Sequence, residues 1–162
     1  MSSYTDFYVG RGENAEWIGS LQGECYPDNF LAVAPRRLAL TTTKALTFRA
    51  AVTDTLDVWE DEGLGRAYRR ESGWPWLWCS SHNSSWVITF DPAAEAVFVT
   101  VGGGVRWHRI DPLDPRFPEG DDPLGPPDIH AWLRDPVAPP SVPMPLMREK
   151  PAAMPTLGGD VR

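Results

Sequence analysis

Thirteen of the seventeen prolines in this chain fall within its last 52 residues, and that distribution constrains the fold more than any other feature. Proline lacks the backbone N–H that a sheet ladder needs, and it costs about 3 kcal/mol inside a helix. Residues 111–162 are therefore expected to run as an extended or polyproline II tail. Residues 1–110 are left to form a single domain. At about that length, roughly two-thirds of the unfolded surface can be buried without a disulfide or metal staple. Within the extension, only Ile129-His130-Ala131-Trp132-Leu133 is apolar enough to dock on the domain, so docking is expected through residues 128–134.

One stretch of the domain has helical periodicity. Ala45, Phe48, Val52, Leu56 and Trp59 recur at steps of three and four, which predicts an amphipathic helix over about 43–62. Thr41-Thr42-Thr43 offers a hydroxyl N-cap, and Gly63 offers the left-handed residue that closes many helices. Glu60-Asp61-Glu62 places three carboxylates where the helix dipole disfavours them, with Arg66, Arg69 and Arg70 near enough to offset this.

Elsewhere the period is two. Phe7 and Val9 share one face of a short strand, and a second strand is expected near 17–21. Residues 85–90, 96–101 and 105–110 read as three strands with short connections, hence an antiparallel meander. Trp86, Ile88 and Phe90 share a face of the first, and Val97, Val99 and Val101 of the second. Residues 23–35 read as a loop with one buried segment. The expected fold is α+β: an antiparallel sheet of four or five strands, one long amphipathic helix packed on it, and a Pro-rich C-terminal tail.

Charge narrows the partners. The formal net charge is −7, with nine acids against five bases in residues 111–162, so binding to nucleic acid is not expected. No apolar run approaches the roughly 18–20 residues of a membrane span, so no membrane partner is expected either. The first residues lack the basic and apolar regions of a secretion signal, and the two cysteines, Cys25 and Cys79, are too few for a disulfide scaffold. A cytoplasmic location is expected. Thirteen of the fifteen bases are Arg, a bias that points to GC-rich coding of the kind found in actinobacteria and their phages.

The chemistry concentrates in Gly73-Trp74-Pro75-Trp76-Leu77-Trp78-Cys79. An extended backbone would point Trp74, Trp76 and Trp78 to one side, and with Trp86 they form the expected binding residues, suited to stacking on a peptide, a sugar or a cation. The competing reading is a lid on the hydrophobic core, since each indole buries about 150–250 Å². Cys79 and His82 are weak candidates for a thiolate pair. Cys25, His108 and His130 are isolated, so neither a metal nor a cofactor is expected. Gly10-Arg11-Gly12 lacks the third glycine and long helix of a dinucleotide loop and reads as a turn.

The sequence therefore leads to a non-enzymatic protein-interaction or assembly protein, which meets a protein partner or copies of itself through the Trp-rich loop and the Pro-rich tail. The alternatives are a small Cys/His-dependent hydrolase or transferase and a small-ligand module for a sugar or nucleotide.

Overall fold

A computed structural model describes residues 3–11, 15–31, 33–78, 81–101 and 108–110. The Pro-rich extension, with the docking expected through 128–134, lies outside the described residues. In chain order the elements are β1 (Ser3–Val9), β2 (Glu16–Gly23), α1 (Pro27–Leu31), α2 (Ala34–Thr41), α3 (Ala45–Trp59), β3 (Gly65–Arg69), β4 (Trp86–Asp91), β5 (Ala96–Val101) and β6 (His108–Arg109).

The fold is α+β, but the sheet is mixed and six-stranded, in the order β3-β2-β1-β4-β5-β6. This corrects the expected antiparallel sheet of four or five strands. Two antiparallel three-stranded halves, β1-β2-β3 with the three helices between β2 and β3, and β4-β5-β6, meet at one parallel seam that runs from Thr5 beside Trp86 to Val9 beside Phe90. Hairpins leave a signal in the short turns between their strands. The seam joins segments distant in the chain and leaves none. β3 was also missed, because Gly65-Arg66-Ala67-Tyr68-Arg69 is an edge strand with little apolar content.

α3 carries the expected face inward, with Phe48, Ala51, Val52, Thr55, Leu56 and Trp59 buried. It starts at Ala45 with Lys44 as N-cap and no side-chain cap, while Thr42 Oγ1 accepts the Lys44 N–H at 3.1 Å in the corner after α2. Gly63, at φ 73°, closes the far end as expected. The stretch expected as a loop instead contains α1 and the start of α2, whose Pro35 sits in the first turn, where its missing N–H costs nothing.

The helices cover one face of the sheet. Phe7, Leu21, Ile88, Phe90, Val97 and Val99 meet Phe30, Leu40, Phe48, Val52, Leu56 and Trp59 there. Leu56 lies so close to β2 that a Cβ at Gly19 would come within 2.8 Å of its Cδ1. The opposite face bears Tyr8, Trp17, Tyr68, Val87, Ala96 and Phe98, and the tryptophan loop covers it.

Candidate functional site

After β3 the chain makes one short helical turn, Arg70–Ser72, bends at Gly73 (φ 91°) and lays the tryptophan loop across the sheet. Trp74 is 0% exposed and Trp76 is 4% exposed, whereas Leu77 between Trp76 and Trp78 is 65% exposed. Pro75 is buried along with Trp74 and Trp76, so the loop turns its rings inward and leaves Leu77 outside. Trp86 is separated from the other three by the sheet itself, since it packs in the helix-side core. Of the two readings of Trp74, Trp76 and Trp78, their burial favours the core lid over the outward platform, and Trp86, expected with them as a binding residue, is a core residue on the other face. Area decides the matter: at about 25 cal/mol per Å², burying one indole contributes roughly 4–6 kcal/mol, more than a leucine can.

The rings pack mainly edge to face. Trp74 meets Trp17 at a centroid distance of 5.2 Å, and Trp76 meets Tyr4 at 5.0 Å and Tyr68 at 5.3 Å. Trp76 and Trp78 stack at 5.4 Å.

Beneath the rings lies an acidic side chain that the sequence reading overlooked. Asp6, on β1, is 0% exposed and accepts four side-chain hydrogen bonds. Trp76 Nε1–H (2.7 Å) and Ser20 Oγ–H (2.6 Å) donate to Oδ1, and Ser81 Oγ–H (2.7 Å) and Ser84 Oγ–H (2.6 Å) donate to Oδ2. A second tier orients these hydroxyls. Trp17 Nε1–H donates to Ser20 at 2.9 Å, Trp78 Nε1–H to Ser84 at 3.4 Å, and Tyr8 Oη lies 2.7 Å from Ser81 Oγ. Indole N–H groups can only donate, so Ser20 and Ser84 turn their own protons toward the carboxyl. Burial pushes the Asp6 carboxyl above its ordinary value, while the hydrogen bonds from Ser20, Ser84, Trp76 and Ser81 pull it down. Burial also pushes up the neighbouring Tyr8 hydroxyl and Cys25 thiol, which stay neutral.

A β-bulge assembles this arrangement. The β1–β2 register shifts between Phe7 and Tyr8, so Phe7 pairs with Gly19 and Tyr8 with Trp17. The extra residue puts Trp17 and Ser20 on one face while Leu21 stays on the other. The signal that could have found the site is Asp6, an acid inside an apolar strand, together with the serines that follow the tryptophans.

The cover is structural. Freeing Trp74 and Trp76 would forgo about 10 kcal/mol of burial, comparable to the 5–15 kcal/mol that holds a whole domain folded. Cys79 and the side chain of His82 lie outside the described residues. Among the described residues no group of three His, Cys, Asp or Glu is placed to hold a metal, and no helix is long and apolar enough to cross a membrane.

The helical side offers a different surface. A cleft of about 340 Å³ is lined by Val33, Arg36, Asp54, Thr55, Asp57, Val58 and Glu62. In its lining Arg36, only 8% exposed at the side chain, pairs with Glu62 at 2.8 Å, its guanidinium 5.7 Å from the Trp59 ring centre. Asp57 pairs with Arg69, and Glu60 accepts both Arg66 Nε–H (3.4 Å) and the Ala67 N–H (3.1 Å). The last contact occupies an outward N–H of edge strand β3, which blunts that edge as a site for adding another strand. Arg70 turns instead to Glu16, at 2.7 Å.

No family model matches the chain, and no curated protein or solved structure matches it either.

Proposed function

We propose that the chain is a non-enzymatic protein-interaction or assembly protein whose docking surface is the helical face. The observation that carries this reading is that most of the exposed large apolar side chains among the described residues lie on the helices, where the cleft also opens. Of the four large apolar side chains exposed among the described residues, Leu38, Leu46 and Val58 lie on α2 and α3, and Val58 lines the cleft. Leu46, in the first turn of α3, is 82% exposed. The Trp-rich loop serves the interaction by stiffening the sheet from behind, and the Pro-rich tail supplies an extended segment that folded partners can also grip.

The test is site-specific photo-crosslinking of the full-length protein in its native cells. A photoreactive residue at Val58 should give a discrete adduct with a protein, either a second copy or another chain. The same residue at Glu95, in the exposed turn between β4 and β5, should give none. An empty lane at Val58, or equal adducts at both positions, would defeat the reading.

A further inference from the structure

We infer that the cleft between α2 and α3 receives a basic side chain from a different, positively charged protein, with Asp54 as the carboxylate that meets it. The inference rests on the helical face being the docking surface and adds the chemistry of what docks there.

Three of the five acids of α3 and the turn after it are paired within the chain. Asp57 is committed to Arg69, Glu60 to Arg66 and the Ala67 N–H, and Glu62 to Arg36. Arg36 is the one base in the cleft lining, and it is spent on Glu62 and on the Asn29 carbonyl. Asp54 lines the same cleft and has no ion-pair partner among the described residues. Val33 and Val58 give the cleft apolar walls that suit the methylene stem of a lysine or arginine, while Asp54 offers the charge its head group needs. The net charge of −7 draws basic partners and steers their approach. A second copy carries the same net negative charge and is repelled by it.

The probe is a synthetic amphipathic helical peptide with leucine on one face and lysine on the other, titrated into the full-length ¹⁵N-labelled protein. Amide shifts should concentrate at Val33, Arg36 and the Asp54–Val58 stretch, and the same peptide with glutamate for lysine should not bind. Asp54→Asn should weaken binding about threefold to fivefold at low salt and flatten its salt dependence. Asp61→Asn, an acid outside the cleft lining, should leave the affinity unchanged. Both side chains are exposed, so neither variant threatens the fold. Equal binding of the glutamate peptide, or an unchanged affinity for Asp54→Asn, overturns the charge assignment while leaving the helical face as docking surface. Shifts elsewhere, or no binding of the lysine peptide, overturn the inference outright. A crosslink from Val58 to a second copy does so too, and in that case the broader interaction reading survives.

Discussion

The two faces of the sheet are both buried, yet they are held by different physics. The helix-side core is built mainly from aliphatic and aromatic side chains, and its buried donors turn to backbone carbonyls: Thr55 Oγ1–H to Ala51 O (2.7 Å), Thr5 Oγ1–H to Cys25 O (2.7 Å) and Trp59 Nε1–H to Gln22 O (3.3 Å). The loop-side core is as rich in rings but is threaded by one carboxylate, three serines and the N–H groups of Trp17, Trp76 and Trp78. The first face therefore specifies volumes. The second specifies donors and acceptors, and a side chain of the right shape with the wrong proton should fail there.

The largest expected effect does not distinguish the faces. Trp74→Ala on the loop side and Trp59→Ala on the helix side each empty a fully buried indole site and should cost about 3–5 kcal/mol, read from urea unfolding followed by far-UV circular dichroism. If Trp74→Ala costs under about 1 kcal/mol, the loop is a loose flap and the comparison of two cores collapses.

Isosteric changes separate them. Asp6→Asn preserves shape but turns an amide NH₂ toward groups that themselves donate, leaving buried donors unpaired, at a cost of about 3 kcal/mol. On the dry face Ile88→Leu preserves volume and should cost less than about 1.5 kcal/mol in the same assay. Equal costs for the two would mean that the carboxylate is an incidental passenger in an ordinary apolar core.

The same distinction explains what could be read from the chain. The helix face follows from spacing alone: Phe48, Val52, Leu56 and Trp59 are buried at the expected positions, as are Trp86, Ile88 and Phe90 on β4. Periodicity reports which residues share a side. It does not report which side faces protein, and so spacing alone leaves an outward platform and a core lid both open for Trp74, Trp76 and Trp78. The bulge at Ile18 reverses the alternation within β2, and no composition signal marks it. The Asp6 site brings β1 together with Ser20 from β2 and with Ser81 and Ser84 from the loop before β4, so it exists only once the sheet order is known. The exposed cleft depends on α2, whose short and partly polar sequence, Ala34-Pro35-Arg36-Arg37-Leu38-Ala39-Leu40-Thr41, resembles a loop until Leu40 and Ala39 are seen beneath it.

The smallest effect is electrostatic and has opposite signs on two carboxylates. Asp6 has a raised folded-state value because of burial, so its contribution to stability is full below its ordinary value of 3.8 and is lost as pH rises through the folded value. Glu16, at the protein surface, has a lowered value because Arg49 hydrogen-bonds it, with Arg70 adding to the effect, so its contribution is full above 4.5 and is lost as pH falls. In the acid range the two trends partly cancel. Removing Asp6 with Asp6→Asn should therefore steepen the loss of stability on acidification, beyond lowering it overall, and Glu16→Gln should make the loss shallower. Added salt should erase the Glu16 difference, because an ion pair with side chains 38% and 40% exposed is screened, and should leave the Asp6 difference in place, because no solvent reaches it. A set of urea midpoints against pH at low and high salt reads both. If salt removes the Asp6 slope as well, water reaches that carboxylate, and the face described as closed by hydrogen bonds is open.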